Sequence, residues 1–173
     1  MAHSNHIAIF SFPGRASLST CCEEIRHAVD AAWSAKYRLN ATVCPNLPKL
    51  HCDPLSLQNA ILNLILNARD AMPEGGVISL RAAPSPPGVV PECVELSVSD
   101  TGAGCPPPRL PADFVRNVGP VDIGRRGLGL PMLERLMCEA DVRVAVERNG
   151  ATGATYILKF PIQPEGSGPE PRR

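Results

Sequence analysis

A chain of 173 residues is long enough to bury one hydrophobic core without disulfides or metals, and its 17 acidic and 17 basic side chains cancel. That balance gives no net field toward nucleic acid or an anionic membrane surface, and no apolar run reaches the roughly 18 residues that span a bilayer. The seven cysteines are odd in number and form no ligand-spaced pairs, so they are expected to be reduced, mostly buried thiols of a cytoplasmic protein rather than zinc ligands or disulfides.

In chain order, residues 1–16 read as a tail, broken by Pro13-Gly14. A helix is predicted to open at Ser17 or Ser19, with Glu23 and Glu24 near its positive end. It runs to about Ser34 with Ile25, Ala28, Val29 and Ala32 on one face. A strand follows at Tyr37–Cys44 and ends at Pro45-Asn46. Asp53-Pro54 combines a capping acid with proline at the first helical position, so a second helix starts there and runs to about Met72. Pro73-Glu74-Gly75-Gly76 turns the chain into strands at Val77–Ala82 and Val94–Ser99, which can pair as a hairpin. From Asp100 to Arg126 the chain is rich in Gly, Pro and Arg without periodicity, and loops this long in a compact domain are usually functional or disordered. A helix at Gly129–Ala140 and strands at Val142–Glu147 and Thr155–Pro161 complete the domain, and residues 163–173 form a polar, disordered tail. This order predicts an α/β (α+β) two-layer sandwich, with helices on one face of a mixed, largely antiparallel sheet spanning residues 17–162.

Three segments carry chemistry. On the second helix Leu57, Ile61, Leu64, Ile65 and Ala68 make an ordinary core stripe, while Asn59, Asn63 and Asn67 recur every fourth residue and Asp70 lies one turn further on. Such a row is either a solvated surface stripe or a set of amide oxygens for a hard cation and its phosphates. Asp100-Thr101-Gly102-Ala103-Gly104 puts a carboxylate at a strand end before flexible backbone. It is either a turn or a site where the carboxylate accepts from an exocyclic amine such as that of adenine. Gly124-Arg125-Arg126-Gly127-Leu128-Gly129-Leu130 leads into a helix, whose N-terminal N–H groups favour phosphate; its arginines are either phosphate ligands or a solvated pair.

Taken in order, Leu62–Met72, Asp100–Gly104, Gly127–Leu130 and Gly153-Ala154-Thr155 resemble the GHKL superfamily of ATPases and kinases, specifically the ATP-binding catalytic domain of sensor histidine kinases. The resemblance covers about Leu18 to Pro161 and implies a Bergerat-type ATP-binding fold. It implies that Asn67 coordinates Mg²⁺ on the phosphates of ATP, that Asn63 and Asp70 support the phosphate and ribose region, and that Asp100 reads adenine. Gly102, Gly104, Gly127, Leu128 and Gly129 would shape the pocket, Thr155 would lie near the base, and Cys105–Arg126 would be a lid. Hydrolytic relatives typically carry glutamate where this chain has Asn63, and an amide is no general base for water. The resemblance thus implies transfer of the γ-phosphoryl to a protein histidine, with a response regulator downstream.

The departures are specific. Phe114 keeps only the first aromatic of the usual lid pattern, and Arg125 replaces a glycine. His3, His6, His27 and His51 are followed by Ser, Ile, Ala and Cys rather than an acid, so no phosphoacceptor is found. The acceptor is expected on another segment or chain, the stretch before Leu18 reads as a tail or the remnant of a dimerisation hairpin, and a monomer is expected without it. Two further readings follow: a catalytically weakened nucleotide-binding module that recognises a partner, or a serine kinase of the anti-sigma type.

Overall fold

The computed structural model describes residues 14–33, 35–88, 92–102, 133, 136, 140–148 and 152–162. Helix α1 (Leu18–Ala32) opens at Ser17, whose hydroxyl accepts from the Thr20 N–H at 3.3 Å. Glu23 and Glu24 fall in the second turn, beyond the reach of the free N–H groups. The buried face of α1 is Leu18, Cys21, Cys22, Ile25 and Val29, a continuous helical stripe. Ala28 and Ala32, expected on that face, are exposed, because the stripe runs through the cysteines instead.

Helix α2 (Pro54–Asp70) is fixed at its start by the Asp53 carboxylate, which accepts from the Ser56 N–H at 2.8 Å, and by Pro54, whose missing N–H costs nothing there. Its predicted stripe is buried in full, joined by Ser56 and Ala60. A short pair precedes it: β1 (Arg15–Ala16) lies antiparallel to β3 (Leu50–His51) and draws two residues of the expected tail into order.

The main sheet has five strands in the order β2-β4-β5-β7-β6. Strand β2 (Tyr37–Val43) runs parallel to β4 (Gly76–Pro84); β4 with β5 (Cys93–Asp100), β5 with β7 (Ala154–Pro161), and β7 with β6 (Arg143–Arg148) are antiparallel. The predicted hairpin and the mixed, largely antiparallel sheet are therefore present. Alternation along the strands sends Ile78, Leu80, Ala82, Val94, Leu96, Val98, Tyr156, Leu158 and Phe160 into the core against the helices, and leaves Ser79, Arg81, Ser97 and Lys159 on the other face. Each fully buried aliphatic side chain contributes about 1.5–3 kcal/mol. Leu133 and Leu136 are helical and buried, as the predicted helix there requires.

Gly75 turns the chain from α2 into β4 at φ +94°, where a side chain would also run into Lys36, and the Gly76 N–H donates to the Lys36 carbonyl at 3.0 Å. The turn between α1 and β2 is thereby fastened to the start of β4. Cys21, Cys22, Cys52 and Cys93 are buried and Cys44 half-buried, all reduced among the described residues. Burial, then the neighbouring Cys21 and Glu23, pushes the Cys22 thiol up to about 12, so it packs as an inert apolar group.

Candidate functional site

The sheet and α2 converge at the C-terminal end of β5. Asp100, the last residue of that strand, points into the core side and is 4% exposed. Its Oδ1 accepts from the Gly102 N–H at 2.9 Å and from the Ala154 N–H of β7 at 3.2 Å. Burial raises the carboxyl above its ordinary value, and the two main-chain hydrogen bonds oppose that rise without cancelling it. A carboxylate so placed is costly to bury and rigidly aimed.

The chain leaves Asp100 tightly against the end of α2. A side chain at Gly102 would meet the Ala71 carbonyl oxygen at 2.5 Å and Met72 Cγ at 2.8 Å, so only glycine fits this crossing. Thr101 Oγ1 bonds Met72 Sδ at 3.5 Å and accepts from the Val77 N–H at 3.4 Å. The asparagine helix and the strand-end carboxylate therefore form one corner. On α2, Asn59, Asn63 and Asn67 are half-buried, neither core nor fully solvated, and Asp70 is exposed beside Arg69, at 3.0 Å from Nη2 to Oδ1. Amide and carboxylate oxygens on one helix are the donor type that a hard cation carried by phosphates accepts. Among the described residues no group of three His, Cys, Asp or Glu side chains is placed to hold a metal.

Thr155 is the second residue of β7. Its partner in the ladder is Ser99, and the two hydroxyls bond at 2.9 Å. Successive strand residues face opposite ways, so Thr155 shares the face of Ser99 and is turned away from that of Asp100. The residue that meets Asp100 is Ala154, through its main-chain N–H, which a motif read by side-chain type could not reveal. Gly104, Gly127, Leu128, Gly129, Arg125, Phe114 and the expected lid Cys105–Arg126 lie outside the described residues, as do His3 and His6.

A family model described as "Histidine kinase-, DNA gyrase B-, and HSP90-like ATPase" matches residues 52–164. Among curated proteins, the sensor histidine kinase ZraS of Escherichia coli (strain K12) is 32% identical over 129 residues, covering 75% of this chain and 26% of that protein. The adaptive-response sensory kinase SasA of Synechococcus elongatus is 28% identical over 144 residues, covering 81% of this chain and 36% of that protein. The chain thus spans between a quarter and two-fifths of the length of these relatives. Among solved structures, the catalytic domain of histidine kinase ThkA superposes with a TM-score of 0.64 at 19% identity, covering 88% of this chain and 99% of that one. Full-length ShkA, solved in complex with AMPPNP, gives 0.63 at 22% identity, over 86% of this chain and 31% of that one. These superpositions agree with the sandwich described above.

Proposed function

The chain belongs to the family of histidine kinase-, DNA gyrase B- and HSP90-like ATPases, and on that premise we propose that it is the ATP-binding catalytic domain of a two-component sensor histidine kinase. The observation that carries this reading is the corner where buried Asp100, held by the N–H groups of Gly102 and Ala154, abuts the end of the asparagine helix. Asp100 accepts a hydrogen bond from the exocyclic amine of adenine. Asn63 and Asp70 support the phosphate and ribose region. Asn67 offers its amide oxygen to Mg²⁺, which when bound offsets the negative charge of the phosphates. Gly102 brings backbone close to the nucleotide, and Gly104, Gly127, Leu128 and Gly129 complete the pocket. Thr155 supports the site from behind, through its hydroxyl pair with Ser99, which holds β7 and thus the Ala154 N–H in register.

Asn63 sets the reaction class. Its amide cannot take a proton from water, so the site favours transfer over hydrolysis. An imidazole nitrogen of a histidine on another segment or chain attacks the γ-phosphorus, the bond to the bridging oxygen breaks, and ADP leaves. The phosphoryl group passes next to a response regulator. The proposed site of action is the cytoplasm. Among the described residues no helix is long and apolar enough to cross a membrane.

The test is phosphoryl transfer from γ-labelled ATP to a histidine-bearing helical-hairpin domain. Acid-labile label on the hairpin, lost with Asn67→Ala, is expected. Acid-stable label on a partner would replace this reading with the serine-kinase one, and nucleotide binding without transfer would replace it with a regulatory module.

A further inference from the structure

The junction between α1 and β2 holds residues that the nucleotide reading leaves unused. Trp33, the single tryptophan of the chain, caps α1, its N–H donating to the Val29 carbonyl at 2.9 Å. Its half-buried ring packs against the core and meets the Tyr37 ring edge-on, 5.5 Å between centroids and 62° between planes. Over this ring lies the guanidinium of Arg69, from the last turn of α2, with Cζ 5.6 Å from the centroid. The same guanidinium donates from Nε at 3.3 Å and Nη2 at 3.0 Å to Asp70 Oδ1. Arg69 is therefore held between an aromatic ring and the carboxylate of Asp70, the residue that continues the helix face of Asn63 and Asn67 by one turn.

A free arginine samples many rotamers, and losing them for one exposed ion pair stabilises a fold very little. The gain here is local. A carboxylate one turn from a polyphosphate repels it by like charge, unless a cation is fixed against that carboxylate. A planar guanidinium can stack on a ring and fork onto an oxygen at once, which a lysine cannot do. We propose that Arg69, anchored on Trp33, is a positioning residue for the phosphate end of the nucleotide: it fixes and screens Asp70 so that Asp70 can stand beside the Mg-phosphate group. This inference rests on the nucleotide reading above.

The experiment is calorimetric titration of the full chain with Mg-ATP, Mg-ADP and adenosine, with thermal melting of each variant as a folding check. Arg69→Met is expected to weaken Mg-ATP about tenfold, Mg-ADP less, and adenosine not at all, the scale of a partly exposed cation–π and ion-pair assembly. Trp33→Leu is expected to weaken Mg-ATP about threefold, while Trp33→Phe, which keeps a ring face, stays within about twofold of the parent chain. Because the two residues act in series, the double variant Trp33→Leu with Arg69→Met should bind no worse than Arg69→Met alone. Equal losses for adenosine and Mg-ATP, additive losses in the double variant, or Trp33→Phe as damaging as Trp33→Leu would each overturn the proposal. Failure of the parent chain to bind Mg-ATP would remove the nucleotide reading and this inference with it. Normal binding by both the parent chain and Arg69→Met would overturn the inference alone.

Discussion

Strand β5 carries a carboxylate near each end, and β7 answers each in a different way. Toward the N-terminal end, Glu95 faces Lys159 across the ladder at 2.9 Å, with side chains 27% and 39% exposed. At the C-terminal end, Asp100 is buried at 4% exposure and bonded to the main-chain N–H groups of Gly102 and Ala154. The first arrangement is how a sheet disposes of charge on its open face, at little gain or loss. The second spends folding energy on desolvation that an apolar residue would spare, and that cost at a strand end is the ground on which a nucleotide site is proposed there.

The pH dependence separates the two ends. Asp100 has its carboxyl raised in the folded state by burial. The unfolded chain therefore gives up that proton first, and the stability it confers is full below the ordinary carboxylate range and lost as pH rises through the raised folded value. Lys159 is raised chiefly by its hydrogen bond to Glu95, so its contribution is full below the ordinary lysine value and lost only at alkaline pH, above it. Asp100→Asn should flatten the acidic part of a melting-temperature profile, and Lys159→Met only the alkaline part.

The largest effect is expected from Asp100→Asn, which should stay folded and weaken Mg-ATP binding by about 100-fold, the value of a hydrogen bond to a charged group. Gly102→Ala should cost about 1–3 kcal/mol in denaturant unfolding and also impair binding, since the new methyl must displace the Ala71 carbonyl or Met72. Thr155→Val, on the face turned away from Asp100, should cost about 0.5–1.5 kcal/mol through the lost bond to Ser99 and weaken Mg-ATP only about threefold, through a looser register of the Ala154 N–H. A collapse of binding in that variant would mean that Thr155 contacts the nucleotide after all. Lys159→Met should cost no more than about 1 kcal/mol and leave binding unchanged.

These contrasts also mark where the sequence was legible. Strand alternation and the Asp53-Pro54 helix start are local patterns, so β4, β5, β7 and α2 fall close to where the pattern puts them. The parallel pairing of β2 with β4 joins segments separated by a whole helix, and no local pattern encodes it. The pairing of Arg15–Ala16 with Leu50–His51 is too short to show a period. In α1 the cysteines belong to the buried stripe that was read through Ala28 and Ala32, because both residue types are small and weakly apolar. At the site, Asp100 and the asparagine row stand out by residue type. The partner of Asp100 does not, since a main-chain donor has no letter of its own, and the pairing of Thr155 with Ser99 depends on register. The Trp33–Arg69 contact, between helix ends far apart in sequence, was equally invisible.

The central claim is that the corner between Asp100 and α2 binds a nucleotide. It is tested most directly by calorimetric titration of the chain and of Asp100→Asn with Mg-ATP. Saturable one-to-one binding by the parent chain, lost in a variant that melts as a folded protein, is the predicted result. A folded parent chain that takes up no Mg-ATP, or an Asp100→Asn variant that binds it as well as the parent, would contradict the account.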